Sequence, residues 1–318
     1  MSRIAVLDDY QGVAFEHGDW SRLRAAHQVV AFRRHLGNED QVAEALQQID
    51  FVCVMRERTP FPRSLLARLP RLKLLVTSGA KNAAIDMAAA RELGITVCGT
   101  RSPGHAASEL AFGLILALAR QITEEDRQMR SGGWQSTIGS DLHGQTLGIL
   151  GLGRHGANLA RYGQAFGMRV IAWSQNLTRE HCQELGVEYA DKMGLFRESD
   201  FITIHLKVGQ RNRGLVGGEE FSLMKPSAYI VNTSRGPIVE EQALLKALQG
   251  GVIAGAGIDV YDREPLPADH PLRSAPGAIL TSHVGYVTRQ TYDVFYSETV
   301  ECIEAYLDGE PVRVLNPA

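Results

Sequence analysis

Along the first hundred positions, short runs of β-branched and aliphatic residues alternate with stretches whose apolar residues recur at helical spacing. The runs predict strands at 4–7, 29–32, 51–55, 72–77 and 95–98, and the stretches predict helices such as 41–48 and 64–69. Strands that alternate with helices in this way predict a parallel sheet with helices on both faces.

A second alternating series follows a helical region. Positions 104–130 predict one long helix, apolar at first and charged later, which ends at Ser131-Gly132-Gly133-Trp134. Beyond that break the pattern predicts strands at 146–150, 169–173, 201–205, 229–232, 254–260 and 278–281, a helix at 240–249 and a tail helix at 292–307. Two successive series of different length predict an α/β protein with two doubly wound parallel-sheet domains.

Composition narrows the class of protein. The 318 residues carry a formal net charge of −3, which provides no global basic field for nucleic acid. The longest apolar run, 110–119, is too short to span a bilayer, and the acidic start does not resemble a signal peptide. Four widely spaced cysteines without a C-x-x-C pair favour reduced thiols and a cytoplasmic location.

Two classes of site lack their sequence signatures. The chain has no H-E-x-x-H motif and no Cys/His cluster with zinc spacing, so we expect no metal centre. It also has no G-x-S-x-G motif from which a hydrolase site could be built.

One glycine-rich loop has the context of a dinucleotide site. The predicted strand 146–150 leads directly into Gly151-Leu152-Gly153-Arg154-His155-Gly156, which a helical run and another strand follow. Gly151 permits the tight turn, Gly153 lets the backbone approach a pyrophosphate, and Gly156 lets the helix pack closely on the strand. The N–H groups at the start of the helix then bind the phosphates, which predicts a Rossmann-type cofactor domain.

The residues after the next predicted strand favour NADP(H) over NAD(H). Positions 142–179 contain no Asp or Glu to accept hydrogen bonds from the ribose hydroxyls of NAD. Three polar side chains there can donate to a 2′-phosphate: Ser174, Gln175 and Asn176. Arg179 or Arg154 can pair with its charge. The alternative is that these are ordinary polar surface residues and that NAD(H) binds without an acidic anchor.

Three polar residues, Arg235, Glu264 and His283, come just after successive predicted strands of the second series. Because strand ends face the ligand crevice of an open α/β sheet, these side chains can converge. Arginine binds the carboxylate of a 2-oxo acid bidentately and polarises its carbonyl group. Histidine supplies a proton to the developing alkoxide near neutral pH, and a nearby carboxylate keeps the imidazole charged and oriented.

Taken together, four stretches make the chain resemble the D-isomer-specific 2-hydroxyacid dehydrogenase family across essentially its whole length. The stretches are Gly151–Gly156, Val231-Asn232-Thr233-Ser234-Arg235-Gly236, Asp259-Val260-Tyr261-Asp262-Arg263-Glu264-Pro265 and Thr281-Ser282-His283-Val284-Gly285. Their order along the chain makes the resemblance more specific than any one motif.

The resemblance implies a role for each of these residues. It makes Arg235 the substrate-binding arginine, His283 the acid–base residue and Glu264 its partner. It implies that Asp259 and the Thr233 region hold the nicotinamide carboxamide. Further positions implied to contact the cofactor are Ser108, His205 and Gly285. The loop Ser78-Gly79-Ala80-Lys81 matches the loop whose backbone N–H groups bind the substrate carboxylate.

The resemblance also implies an inserted-domain architecture. Residues 1–100, completed by 287–318, would form a flavodoxin-like substrate-binding domain, and residues 101–286 the dinucleotide-binding domain inserted into it. Members of the family usually form homodimers through the cofactor domain. Closure of the two domains would exclude water during the reaction.

The chain departs from the family pattern at several positions. Ser282 stands where proline usually precedes the histidine, which could relax that loop. Lys81 adds a cation beside the carboxylate-binding loop. Arg56 and Arg58 either bind a second anionic group of the substrate or are simply solvated. Tyr286, like Trp134, either lines the pocket or packs at a domain interface.

The combined prediction is a reductase that transfers a hydride from NAD(P)H to C2 of a small 2-oxo acid and forms a D-2-hydroxy acid. A 2-imino acid has the same shape, so reduction to D-amino acids is a second prediction. Glu264 argues against the formate-oxidising branch of the family, where glutamine is expected. A third alternative is a dinucleotide-sensing, corepressor-like interaction protein without catalysis.

Overall fold

The computed structural model describes residues 1–317, which fall into two units. The first unit comprises Met1–Pro103 and the segment from Val287 onward, and the second unit comprises Gly104–Tyr286.

The strands and helices follow in chain order. The strands are β1 (Arg3–Val6), β2 (Gln28–Ala31), β3 (Phe51–Val54), β4 (Leu74–Thr77), β5 (Thr96–Gly99), β6 (Thr146–Leu150), β7 (Arg169–Trp173), β8 (Glu188–Tyr189), β9 (Phe201–Ile204), β10 (Tyr229–Asn232), β11 (Gly255–Ile258) and β12 (Ala278–Leu280). The helices are α1 (Ser21–Ala26), α2 (Glu39–Leu46), α3 (Arg63–Leu66), α4 (Met87–Glu92), α5 (Ala106–Ala119), α6 (Ile122–Arg130), α7 (Arg154–Ala165), α8 (Arg179–Glu184), α9 (Lys192–Glu198), α10 (Gly218–Leu223), α11 (Glu241–Gln249) and α12 (Arg289–Leu307).

The first unit is built on a parallel sheet with the strand order β2-β1-β3-β4-β5. Strands β3 and β4 are buried at every position, as expected for a parallel sheet covered on both faces. Local sequence signals begin the helices on these faces. The Asn38 side chain accepts from the backbone N–H of Gln41 at the start of α2, and Thr288 caps α12 in the same way.

The second unit contains a parallel sheet with the order β12-β11-β10-β9-β6-β7-β8. Apolar residues of α5 and α7 pack on one face, and those of α9, α10 and α11 pack on the other. The strand order reverses between β6 and β9, and ligands of such sheets bind outside the carboxyl ends of the strands at this switch point. The predicted class, an α/β protein with two parallel sheets, is therefore confirmed.

The prediction of one helix over 104–130 is wrong. The chain breaks after Ala119, and α5 and α6 are bent by 62° relative to each other. Gln121 adopts a left-handed conformation with φ 51°, and its side-chain amide donates to Leu118 O at 3.1 Å and to the Tyr229 hydroxyl at 3.1 Å. These bonds satisfy a carbonyl of the last turn of α5 and tie the break to β10, a tertiary contact that periodicity does not reveal.

Two further observations concern the described residues as a whole. No single helix within residues 1–317 has the length and apolar character required to cross a membrane, although α5 and α6 taken together meet that criterion by length and composition. Over the same residues, no group of three or more His, Cys, Asp or Glu side chains is placed to hold a metal ion.

Candidate active site

Three neighbouring strand ends carry the predicted catalytic residues in the second unit. Asn232 pairs with Ile258, and Ile258 pairs with Leu280, so β10, β11 and β12 end side by side. Arg235, Glu264 and His283 follow these three ends. Parallel register therefore brings together residues that are nearly fifty positions apart in the chain.

The turn after β10 holds Arg235 through the buried side chain of Asn232. Its amide accepts from the N–H of Ser234 and donates to the carbonyl of Arg235, both at 3.0 Å. A Cβ on the next residue, Gly236, would lie 2.1 Å from the backbone carbon of Tyr261. Only glycine therefore lets this turn pack against the β11 turn that carries Glu264.

His283 and Glu264 form a close pair. Nδ1 of His283 lies 2.6 Å from Oε2 of Glu264, and Oε1 of Glu264 accepts from the N–H of Tyr261 at 3.0 Å. The carboxylate is thus fixed at both oxygens, and Nδ1–H is the donor that it selects on the imidazole. Nε2 is then the nitrogen that can exchange a proton with a substrate.

Asp259 anchors the loop on which His283 lies. Its fully buried carboxylate accepts from the Thr281 hydroxyl at 2.6 Å, from Val284 N at 2.8 Å and from Gly285 N at 2.9 Å. Burial raises the pKa of this carboxyl, and these donors together with His283 oppose the rise. The three bonds hold the loop on both sides of Ser282. Asp259 therefore positions His283, a role beyond the carboxamide contact implied by resemblance.

Tyr286 lies beside the imidazole. The rings of His283 and Tyr286 meet edge to face, with centroids 5.9 Å apart and planes at 74°. Tyr286 therefore lies next to the predicted acid–base residue.

The glycine loop has the shape that a dinucleotide pyrophosphate requires. Gly151 has φ 99°, and a Cβ on Gly156 would lie 2.1 Å from the Gly151 carbonyl oxygen. A Cβ on Gly153 would meet nothing within 4 Å, so the space above this residue is open. Gly153 begins α7 without a side-chain cap, which leaves the first N–H groups of a twelve-residue helix for an anion.

Thr233 offers a second feature that fits a nicotinamide cofactor. Its Oγ1 is buried and has no hydrogen-bond partner among residues 1–317. A buried hydroxyl without a partner costs free energy, and a carboxamide group could satisfy it. The residues present therefore fit a nicotinamide dinucleotide.

Ser108 has hydrogen-bond partners inside the second unit, and its contact with the cofactor stays a prediction. It is fully buried, and its hydroxyl lies 3.0 Å from Nδ1 of His155 and accepts from the Asn158 amide at 3.3 Å. Because Asn158 donates to this hydroxyl, the serine proton can be given to His155. Ser108 thus orients a side chain of the glycine loop.

His205 follows β9 and lies against the glycine loop. Its ring stacks on that of His155 with centroids 6.5 Å apart, and its Nε2 lies 2.8 Å from Thr203 Oγ1. A Cβ on Gly151 would lie 2.8 Å from the His205 carbonyl oxygen. Burial, and secondarily His155, lower the pKa of His205 to about 3.

This lowered pKa predicts an acid-dependent loss of stability. As the pH falls below 6.5, the ordinary pKa of histidine, the unfolded chain binds a proton that folded His205 does not bind until about pH 3. The free energy of unfolding should therefore fall by about 1.4 kcal/mol between pH 7.5 and 5.5 through this residue alone. Urea unfolding of the protein and of His205→Asn at both pH values measures it. Equal pH dependence in the two proteins would contradict this prediction.

The proposed 2′-phosphate residues occupy different surroundings. Ser174 is half-buried at the end of β7, and Asn176 is exposed. Gln175 is exposed and donates to the carbonyl of Arg211 at 3.1 Å. Of the two predicted cations, the Arg179 guanidinium lies 4.7 Å from the Tyr189 ring centroid, and that of Arg154 lies against Gly104. Their pairing with a 2′-phosphate stays a prediction. Arg211 belongs to a run of three cations in the sequence, Lys207, Arg211 and Arg213, that lies outside the predicted site residues.

In the first unit, the predicted carboxylate-binding loop is tied to Arg56. Arg56 has φ 53°, its N–H donates to the buried Ser78 hydroxyl at 2.9 Å, and its guanidinium lies against Gly79 and donates to Ser78 O at 3.4 Å. The N–H of Gly79 itself donates to Thr100 Oγ1 at 2.7 Å. Ser78 and the Gly79 N–H are therefore engaged inside the unit, whereas Ala80 and Lys81 are exposed.

A methyl group added at Gly153 is expected to weaken cofactor binding without changing the stability of the fold. Because the added Cβ meets nothing in the protein, Gly153→Ala should unfold at the temperature of the parent protein. The methyl group would occupy the approach of the pyrophosphate, so the Kd for NADPH should rise at least about tenfold, or 1.4 kcal/mol. Fluorescence titration and calorimetry measure the two quantities.

The matched control is Gly113→Ala, on the exposed side of α5, where a Cβ also meets nothing within 4 Å. This variant should bind the cofactor normally. An unchanged Kd in Gly153→Ala would show that the loop does not hold a pyrophosphate.

Comparison with known proteins places the chain among dehydrogenases. Residues 112–285 match the family model described as D-isomer specific 2-hydroxyacid dehydrogenase, NAD binding domain. The chain is 40% identical over 265 residues to a protein named glyoxylate reductase from Aeropyrum pernix, covering 79% of this chain and 78% of that protein.

Solved structures give the same result over the whole chain. A phosphoglycerate oxidoreductase from Vibrio cholerae superposes with a TM-score of 0.92 at 34% identity, covering 97% of this chain and all of that one. An acyclic imino acid reductase, solved with NADPH and D-arginine, superposes with a TM-score of 0.73 at 25% identity, covering 98% and 99% of the two chains.

Proposed function

The chain belongs to the D-isomer-specific 2-hydroxyacid dehydrogenase family, and we propose that it reduces a small 2-oxo acid to a D-2-hydroxy acid. The second unit is assigned to the cofactor and the first unit to the substrate. A cytoplasmic location is part of the proposal, supported by four buried free cysteines.

Three residues of the second unit have distinct roles in the proposed reaction. Arg235 binds the substrate carboxylate through its planar guanidinium and polarises the adjacent carbonyl. A bound nicotinamide supplies the hydride that is added to C2. His283 gives its Nε2 proton to the carbonyl oxygen as negative charge develops there, while Glu264 stabilises the imidazolium and fixes its orientation through Nδ1.

The observation that carries this proposal is the contact between His283 Nδ1 and Glu264 Oε2, which are 2.6 Å apart. Glu264 and His283 follow β11 and β12, and Arg235 follows the adjacent strand β10. Its test is a panel of 2-oxo acids of increasing size, assayed with NADPH and NADH in parallel, with the configuration of the product determined chromatographically. We expect D-products. L-products would contradict the proposed stereochemistry. No turnover of any 2-oxo acid with either cofactor would contradict the reaction itself and favour the dinucleotide-sensing alternative.

Reduction of 2-imino acids is the second candidate. The specific observation in its favour is the whole-chain similarity to the imino acid reductase. The same Arg235 and His283 arrangement would bind the carboxylate and protonate the nitrogen. Assays of each 2-oxo acid with and without an amine decide between the candidates, because only imine reduction yields a D-amino acid.

We also propose a homodimer formed through the cofactor unit. None of the nine residues of α6 is buried, and apolar side chains remain exposed along 122–138: Ile122, Met129, Trp134 and Ile138. This segment is held in place, because Glu125 accepts from the backbone N–H and hydroxyl of Thr137 at 2.7 and 2.6 Å. An ordered apolar surface of this kind is typical of an interface.

The change Ile138→Asp, at a side chain that is 97% exposed, should weaken this dimer without affecting the fold. A buried unpaired carboxylate at an interface costs several kcal/mol, so the dimer Kd should rise at least about 100-fold. Sedimentation equilibrium measures it, with Val208→Asp as the exposed control outside the segment. A monomeric parent protein would contradict the proposed dimer.

A further inference from the structure

The loop between β9 and α10 borders the carboxyl end of β7 in the second unit. In the sheet order β9-β6-β7, the strand that leads into the glycine loop lies between the other two. One hydrogen bond connects the segments that follow β7 and β9: Gln175 Nε2, just after β7, donates to the carbonyl oxygen of Arg211 at 3.1 Å. Residues 174–176 and 207–214 therefore lie on either side of the glycine loop.

This loop is cationic and has a defined backbone. Positions 206–218 contain Lys207, Arg211 and Arg213 but no Asp or Glu. The Asn212 amide donates to Lys207 O at 2.8 Å, and the N–H groups of Asn212 and Arg213 donate to Gly209 O at 3.0 and 3.1 Å. The loop thus presents the exposed Arg211 next to Gln175 in a folded turn.

Other charged side chains near this loop have contacts of their own in the second unit. The Arg179 guanidinium stacks on Tyr189, and the Arg154 guanidinium lies against Gly104 at the start of α5. The carboxylate of Glu240 lies against Gly214 and Gly217, at the end of the loop next to Arg213. Arg211 is therefore the cationic residue of this loop whose backbone is placed beside the end of β7 by a direct hydrogen bond.

A Rossmann site recognises the adenosine ribose at this strand end, with an acidic residue for NAD or an arginine for the 2′-phosphate of NADP. No carboxylate occurs over 142–179. We propose that Arg211 binds the 2′-phosphate of NADP(H), with Ser174 and Asn176 as additional donors, so that the loop after β9 determines cofactor choice. This inference rests on the proposed function, because it specifies the cofactor of the same site.

The test uses ligands that lack the nicotinamide, so it does not depend on turnover. Adenosine 2′,5′-bisphosphate and 5′-AMP are titrated into the full-length protein by calorimetry. In Arg211→Gln the Kd of the bisphosphate should rise about 10- to 100-fold, as expected for lost charge-assisted hydrogen bonds, while the Kd of 5′-AMP stays within twofold. Arg213→Gln, two positions along the loop, is the matched control and should leave both values unchanged.

Salt dependence gives a second readout. The difference between the two ligands should shrink from 0.05 to 0.5 M NaCl in the parent protein and should change little in Arg211→Gln. Equal affinity of the parent protein for both ligands would overturn the inference, as would an equal loss of both ligands in Arg211→Gln.

Failure of this inference is distinguishable from failure of the proposed function. Reduction of a 2-oxo acid with NADH alone would leave the reaction intact and remove the 2′-phosphate site. Selective binding of the bisphosphate without any turnover would support the 2′-phosphate site and contradict the proposed reaction.

Discussion

Replacement of His283 by asparagine is expected to lower kcat by about 10²- to 10⁴-fold, the range that a positioned general acid contributes. Asparagine is the appropriate substitute because His283 has φ 55°, a left-handed conformation that asparagine tolerates better than most residues. The Asp259 bonds to Thr281, Val284 and Gly285 remain, so the loop should keep its place. Steady-state kinetics on the best 2-oxo acid, together with the Kd of NADPH, separates lost chemistry from lost binding.

His143→Asn, at an exposed histidine of the second unit, is the control and should retain full activity. The Kd of NADPH should be unchanged in both variants. A fall of less than tenfold in kcat for His283→Asn, with the fold intact, would show that another group donates the proton.

The second large effect is expected at Arg235. Arg235→Lys keeps the positive charge but loses the planar fork that binds a carboxylate through two parallel hydrogen bonds. Arg235 has extended backbone torsions with φ −152°, which lysine adopts without strain. We expect kcat/KM to fall about 100-fold, which corresponds to about 2.7 kcal/mol of transition-state stabilisation.

Arg273→Lys is the matched control, because this exposed arginine donates to the carbonyl oxygens of Leu266 and Pro267. It should keep kcat/KM within twofold of the parent value. An unchanged kcat/KM in Arg235→Lys on every active substrate would remove the guanidinium from the proposed mechanism.

Much of the second unit was predictable from the chain. Strands β6, β7 and β10 begin and end at the predicted residues, because the apolar residues at the centre of each strand lie between polar or glycine-rich segments. The glycine loop requires glycine at position 156, because a Cβ there would lie 2.1 Å from the Gly151 carbonyl oxygen. By contrast, the two-residue edge strand β8 has too short a pattern to be recognised.

Other features depend on contacts between distant segments. The bend at Gln121 requires Tyr229, more than a hundred positions away, and the anchoring role of Asp259 requires a loop more than twenty positions later. Ser108 lies against His155 because α5 and α7 pack on the same face of the sheet. Periodicity and spacing contain no information on these pairs.

The sequence by itself determined the alternation of strands and helices, the glycine loop and the choice of Arg235, Glu264 and His283 as candidate site residues, because each depends on local residue type and spacing. Only the tertiary structure decided how these parts act on one another. Parallel register set three strand ends side by side, Asp259 fixed the loop of His283, and Gln175 brought Arg211 to the end of β7. The physical reason is that burial and hydrogen bonding join groups by distance in space, which the chain specifies only when it is folded.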